Sequence, residues 1–244
     1  MTAWMPWKIA RKELKVIGRK RSIISYTIGL PLLISIVFPF VVKNQTGNGI
    51  PATLLSTGVE SIIFIFVILA TFLPSTIAAY SIVGEKVEKT LEPLLATPTT
   101  TGEILLGKSI AAFIPPVLST WTGAAIFMGA TDYILHNAGL GYYYFPNLNA
   151  GIMLLLIAPL AAILSIEIAI IASSRVSDVR GANQIASLIL IPFVFAFFAE
   201  AEGIISFDIP TLLIFAIIVL ILDVGLFFVS KSIFNREEIL TKWK

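Results

Sequence analysis

The run VESIIFIFVILATFLPSTIAAYSIV, from Val59 to Val83, is followed at once by GEKVEKTLEPLLATP, from Gly84 to Pro98. The first is long enough to cross a bilayer, whose hydrocarbon core of about 30 Å takes roughly 20 apolar helical residues. The second carries Glu85, Lys86, Glu88, Lys89 and Glu92. It belongs outside the bilayer, because charge in hydrocarbon is costly. A span that hands over to a charged, helix-prone segment sets the plan of the chain. The bilayer is crossed repeatedly, and the charged segment serves something beyond it.

Five further apolar runs flank this pair. Taken with 59–83, they cover 22–42, 104–130, 149–173, 185–199 and 209–230, which makes six spans on the hydropathy rule. The fifth is the shortest and ends in Glu200-Ala201-Glu202. Prolines interrupt several runs at 31, 39, 74, 115, 116, 159 and 192. Each removes a backbone donor and kinks its helix, which a membrane bundle tolerates. The expected fold is all-α: a polytopic membrane protein, one domain over 1–244, with six transmembrane helices. An interfacial amphipathic helix is expected over 4–20 and a cytoplasmic helix over 85–97.

Composition agrees. The 244 residues are 57% hydrophobic and 13% charged, with a mean hydropathy of +0.93. Soluble domains are nearer 25% charged. Cysteine is absent, so disulfides and thiolate metal sites are excluded, and the single His136 excludes multi-histidine sites. A net charge of +2 argues against a nucleic-acid partner. No cleavable signal peptide is visible, since the first apolar run follows a basic stretch and is itself a full span.

Basic residues give the orientation. Lys8, Arg11, Lys12, Lys15, Arg19, Lys20 and Arg21 precede the first span against one acid, Glu13. Arg175 and Arg180 lie between spans four and five, and Lys231, Arg236, Lys242 and Lys244 follow span six. The opposite loops are mostly acidic, with Glu60, Asp132, Glu200, Glu202 and Asp208 beside Lys43. Both termini are therefore expected in the cytoplasm of a multi-pass cell-membrane protein. At 100° per residue Trp7, Ala10, Leu14 and Ile17 share one face of the N-terminal stretch, with the lysines and arginines on another. This reads as a helix lying in the membrane interface with Trp7 in lipid. Between spans three and four, GLGYYYF (Gly139 to Phe145) reads as aromatics seated at the outer interface.

GEILLGKS, from Gly102 to Ser109, fits the phosphate-loop pattern G-x-x-x-x-G-K-[ST]. That pattern needs a strand before it and a flexible loop within it. Here the variable positions are helix formers and run straight into a span. The match is read as coincidence, as is the likeness of IIVLILD, ending at Asp223, to an acidic strand.

In the charged segment, Val87, Leu91, Leu94 and Leu95 recur at helical spacing on one face, and Glu85, Glu88 and Glu92 on another. Gly84 is expected to end span two. Thr97-Pro98 ends the short helix, and Thr99 to Thr101 offer capping hydroxyls to span three. Helices that merely lie on lipid are rich in lysine and arginine. A leucine face beside an acidic face instead suits docking into a groove on a soluble partner.

The segment GEKVEKTLEPLLATPTTTGEILLGKSIAAF resembles the signature of type-2 permeases of ATP-binding-cassette (ABC) transporters. The matching pieces are Gly84-Glu85-Lys86, Thr90-Leu91-Glu92, Leu94-Leu95, Pro98 and Leu106-Gly107-Lys108. IARKELK (Ile9 to Lys15), SSRVSDVRGANQ (Ser173 to Gln184) and FNREEIL (Phe234 to Leu240) resemble flanking elements of that family. Lys89 departs from the glycine many members carry before Thr-Leu-Glu. The resemblance implies a permease subunit of an exporter. It implies that 85–97 is a coupling helix, with Glu85, Lys86, Glu88, Thr90, Leu91, Glu92, Leu94 and Leu95 contacting a separate ATPase. Two ATPase subunits and a second permease, identical or related, are implied partners. This chain is then no enzyme and carries no cofactor, ATP being used by the partner. Path residues would come from spans two and five.

Glu167 in span four and Asp223 in span six lie inside apolar runs, one to two turns from the end expected to be cytoplasmic. They read either as a gate or substrate contact, or as a structural hydrogen bond between helices. The latter is favoured by their distance from mid-bilayer and the want of an assignable cation. Other function classes fare worse. No nucleophile elbow or zinc-protease motif supports an intramembrane enzyme. A channel, or an assembly subunit without ATP coupling, is the alternative reading, but no filter repeat or charged ring marks a pore.

Overall fold

The apolar run quoted first lies at the centre of the molecule. The computed structural model describes residues 4–47, 52–87, 99–137, 144–176 and 178–233, and every regular element among them is helical. In chain order these are α1 (Trp4–Ile17), α2 (Arg21–Gly47), α3 (Ala52–Val87), α4 (Thr101–Leu135), α5 (Leu148–Ile152), a π-helical turn (Met153–Ile157), α6 (Ala158–Arg175), α7 (Val179–Ser187), α8 (Leu190–Ala201) and α9 (Ile209–Ile233). Six stretches are long and apolar enough to cross a membrane: Arg21–Asn44, Gly58–Gly84, Gly102–Leu135, Leu148–Ser174, Val179–Ala201 and Ile209–Ser230. The all-helical, six-span architecture is thus present.

α3 is the axis of the bundle, packing against α2, α4, α6, α7 and α8. No side chain from 58 to 84 is exposed. Lipid tails are as apolar as leucine, so what holds these helices is close packing rather than escape from water. Small residues supply it: Ala70, Ala78, Ala79, Ala111, Ala112, Ala161, Ala162 and Ala169 are all buried. At Gly123 on α4 a Cβ would stand 2.8 Å from the Pro31 ring and 3.0 Å from its carbonyl oxygen. Glycine there lets α2 and α4 meet backbone to backbone. Spans one, five and six are mostly uncovered, with 28%, 22% and 22% of their windows buried.

The helices outrun the apolar runs, which revises several expected bounds. Gly84 ends span two, Gly58–Gly84, but not the helix. α3 continues through it to Val87, because one glycine costs a helix only about 1 kcal/mol and the residues after it are helix formers. Glu85 and Lys86 therefore prolong α3 instead of opening a separate helix. With 36 residues α3 is about 54 Å long, and α4 with 35 is about 52 Å. Both exceed the bilayer core of about 30 Å. α4 begins at a capping box: Glu103 N donates to Thr100 Oγ1 at 3.3 Å, and Thr100 N donates to Glu103 Oε2 at 2.8 Å.

Two prolines explain two further departures. Pro159 has no N–H for the Leu155 carbonyl, and the backbone before it widens into the π turn, where Ala158 N bonds Met153 O. That frees the Leu154 carbonyl, which accepts Trp121 Nε1 at 2.7 Å. In span five, Pro192 crowds the Leu188 carbonyl. The chain tightens there, Ile189 N bonding Ala186 O and Ile191 N bonding Leu188 O, and the span splits into α7 and α8. Gly203, at φ 71°, ends α8, with Ile204 N returning to Ala199 O at 2.8 Å. Asp208 then caps α9, accepting from Thr211 N at 3.2 Å, and hydrogen bonding from Thr211 holds its carboxyl below the ordinary carboxylate range.

Candidate functional site

Three polar clusters interrupt the apolar bundle, and the first joins the helices on either side of the charged segment. α1 turns its apolar face onto α4 rather than into lipid. Ala10 and Ile17 are buried, and only Trp7 of the expected lipid face stays exposed. The seat is Gly107, where a Cβ would lie 2.7 Å from both Ile9 Cβ and the Pro6 carbonyl oxygen. Glu13 sits on the same face, 5% exposed. Its Oε1 lies 3.6 Å from Lys108 Nζ, and its Oε2 accepts Ser81 Oγ at 3.0 Å. Lys108 Nζ also donates to the Ser81 carbonyl at 2.8 Å and to Ser81 Oγ at 3.0 Å. One buried clamp thus ties α1 to the end of α3 and the start of α4. Every member has a partner, as burial of a charge requires.

Sequence reasoning missed this clamp. Glu13 was counted as the lone acid of a basic helix, although it falls beside Ala10 and Ile17 on the apolar face. Lys108 stands in the sequence only as part of the GEILLGKS and Leu106-Gly107-Lys108 matches. Their signals were present: an acid on an apolar face, and a lysine one turn inside a span. The clamp also accounts for GEILLGKS. Gly102–Ser109 lies in the regular helix α4, its glycine is the α1 seat, and its lysine faces Glu13. Backbone N–H groups committed to a helix cannot cradle phosphate.

Of the eight coupling residues, Glu85 and Lys86 fall at the end of α3, where their backbone alone is described. Glu88, Thr90, Leu91, Glu92, Leu94 and Leu95 lie outside the described residues.

The second cluster is at the other end of α3. Glu60 Oε1 accepts Tyr144 Oη at 2.8 Å and Asn149 Nδ2 at 3.1 Å. Ser61 donates to Glu200, which is buried at the end of α8. Asp132 accepts the backbone N–H groups of Tyr144 and Phe145 at 3.0 and 3.1 Å. Glu60 and Asp132 are structural ties for the 144–149 stretch, and Glu200 ties α8 to α3. Tyr144 belongs to the aromatic run read as an interface belt, and its hydroxyl is turned onto Glu60.

The third cluster is the pair of intramembrane carboxylates. Glu167 on α6 and Asp223 on α9 belong to two helices that pack directly against each other. Both are buried. Span two, expected to contribute to a path, offers only half-buried positions, among them Ile65, Ile68, Phe72 and Tyr80 on one face. On span five Ile191, Phe195 and Phe198 are exposed.

Comparison with curated proteins found no match. A family model described as ABC-2 family transporter protein matches residues 7–180. The match takes in α1, the Glu13–Ser81–Lys108 clamp, the charged segment and Glu167, and stops short of Asp223. It covers well over half of the chain, which is therefore a multi-pass membrane transport subunit belonging to the ABC-2 transporter family.

Proposed function

We propose that this chain is the permease subunit of an ABC exporter, pairing with a second permease and driven by two separate ATPase subunits docked on 85–97. Both termini lie in the cytoplasm, as the distribution of lysine and arginine indicates. Glu85, Lys86, Glu88, Thr90, Leu91, Glu92, Leu94 and Leu95 carry the docking contacts, and ATP is bound and hydrolysed by the partner alone. The observation that carries this reading is where the charged segment sits. It joins two helices, α3 and α4, that each outlast the bilayer core and are tied to α1 by a buried clamp. A push on the segment therefore reaches three helices at once. The uncovered faces of spans one and five suit contact with the second permease, and the half-buried stripe Ile65, Ile68, Phe72 and Tyr80 suits the wall of the path.

The test is co-purification with a candidate ABC ATPase subunit, followed by ATP hydrolysis in lipid. Leu91→Asp or Leu94→Asp should remove about 2 kcal/mol or more of docking energy, roughly thirty-fold in affinity. Hydrolysis should then no longer respond to the permease. Normal coupling in both variants would show that the segment is not the docking element.

A further inference from the structure

An interfacial helix is ordinarily held to the membrane by its apolar face, but the fold uses that face of α1 on protein. Ala10, Glu13 and Ile17 are buried, and Pro6 and Ile9 sit on Gly107 of α4. What α1 turns outward is its other side. Lys8, Arg11, Lys12, Lys15 and Arg19 are all exposed. At about 100° per residue they fall within roughly 100° of arc, diametrically opposite the buried residues. Trp7 and Val16, 51% and 40% exposed, stand on the two shoulders of that arc. A groove of about 520 Å³ runs along it, bordered by the five cations and Val16.

The depth of α1 follows from what it touches. Span three has 34 residues and span two 27, about 51 and 40 Å of helix. Centred on a hydrocarbon core of about 30 Å, they overhang it by about 10 and 5 Å at each end. Gly107 and Lys108 stand about 8–9 Å inside the start of span three, and Ser81 about 5 Å inside the end of span two. All three are therefore at the edge of the core. α1, packed along α4 and joined to them through Ile9 and Glu13, lies in the headgroup layer. Because α1 meets the side of α4, the opposite face points away from the bundle, to where lipid phosphates lie.

We propose that the basic face of α1 is a binding site for anionic phospholipid, with the headgroup phosphate in the groove among Lys8, Arg11, Lys12, Lys15 and Arg19. Trp7 and Val16 meet the glycerol and the first methylenes. Arginine offers phosphate a two-pronged hydrogen bond and lysine a point charge. Each such cation near an anionic membrane surface contributes about five-fold in affinity. A zwitterionic headgroup carries no net charge and gains little. Exposed tryptophan beside the cations suits a lipid surface, where its ring is seated between water and hydrocarbon, better than a soluble acidic partner. α1 is then held from both sides, by the Glu13–Ser81–Lys108 clamp within and by lipid without. The rival occupants from this chain are its own acids outside the described residues, Glu88, Glu92, Glu237 and Glu238. Lipid binding here is independent of ATPase docking.

Fluorescent phosphatidylglycerol titrated onto the full chain in uncharged detergent tests it, with phosphatidylcholine bearing the same fluorophore as comparison. Phosphatidylglycerol should bind about ten-fold tighter or more, and the preference should shrink as salt rises from about 0.05 to about 0.5 M. Arg11→Gln/Lys15→Gln/Arg19→Gln alters exposed side chains alone. It should weaken phosphatidylglycerol binding about a hundred-fold, and each single change about five-fold, with phosphatidylcholine unaffected. Arg180→Gln, which removes an exposed cation of α7, should leave both lipids unaffected. Equal binding of the two lipids by the wild type would overturn the assignment, as would a triple variant that binds phosphatidylglycerol like the wild type. A loss in Arg180→Gln as large as in the single α1 variants would also overturn it, by making the effect one of net charge. Displacement of the lipid by an equal concentration of glycerol phosphate would make this a site for soluble phosphate instead. A preference for phosphatidylglycerol absent from the wild type and present only in Glu88→Gln/Glu92→Gln or Glu237→Gln/Glu238→Gln would give the groove to the chain's own acids.

Discussion

The clamp at the end of α3 and the carboxylate pair between α6 and α9 are both buried charge in an apolar bundle, and they are solved in opposite ways. Glu13 is answered by a lysine and a hydroxyl, and Lys108 by a carboxylate, a carbonyl and the same hydroxyl. Glu167 Oε2 and both oxygens of Asp223 accept no hydrogen bond. The difference teaches where to look for structure and where for chemistry. A fully partnered cluster fixes helices in place whatever the solution outside. A carboxyl without a hydrogen-bond donor makes no such tie. The clamp binds α1, α3 and α4, which frame the charged segment. Asp223 lies on the buried stripe of one peripheral helix.

The largest expected effect comes from unbalancing the clamp. Lys108→Met leaves Glu13 buried with a single hydroxyl donor, and removing one partner of a buried pair costs about 3–5 kcal/mol. Thermal unfolding in detergent should fall accordingly, and α1 should become open to proteolysis. The Glu13→Gln/Lys108→Met double variant removes both charges and should recover most of the loss. If the single variant were as stable as wild type, the clamp would not be the tie described. A double variant no better than the single would mean that the lysine acts through packing alone.

Geometry of the same region gives the next effect. Gly107→Ala puts a methyl 2.7 Å from Ile9 and from the Pro6 carbonyl. One of these neighbours is backbone and cannot swing away, so α1 must lift from α4 at a cost of about 1–3 kcal/mol. Gly102→Ala, one and a half turns earlier on the same helix, meets open space and should be neutral or slightly stabilising. Limited proteolysis of α1 separates the two. Equal protection in both variants would mean that Gly107 is not the seat.

Six spans could be read from the sequence because membrane helices must satisfy their backbone internally, and length and hydropathy then suffice. The charged segment was legible for the same reason, since charge interrupts such runs. The clamp was not. Its three residues are far apart in the chain, and Glu13 reads there only as the lone acid of a basic stretch. Glu167 and Asp223 were conspicuous singly, yet nothing in one sequence says that spans four and six touch. The helix of span two outlasts its apolar run because glycine permits a turn without requiring one. The π turn is a gentler case: Pro159 announces a disturbed helix, but only the fold brings Trp121 to the freed Leu154 carbonyl. Trp121→Phe should therefore cost roughly 1 kcal/mol, the scale of an interhelical hydrogen bond in a membrane protein. A thermal-unfolding shift well beyond that would mean that the indole is holding more than one carbonyl.

The smallest expected change is at the intramembrane carboxyl of α9. Asp223→Asn keeps the shape of the side chain on the buried stripe of Leu212, Ala216 and Val219. Neither oxygen of Asp223 accepts a hydrogen bond, so the substitution breaks none. Stability in detergent at neutral pH should therefore move by no more than about 0.5 kcal/mol. A loss well beyond that in thermal unfolding would mean that the carboxyl holds α9 through a partner an amide cannot replace, and would place Asp223 with the clamp rather than apart from it.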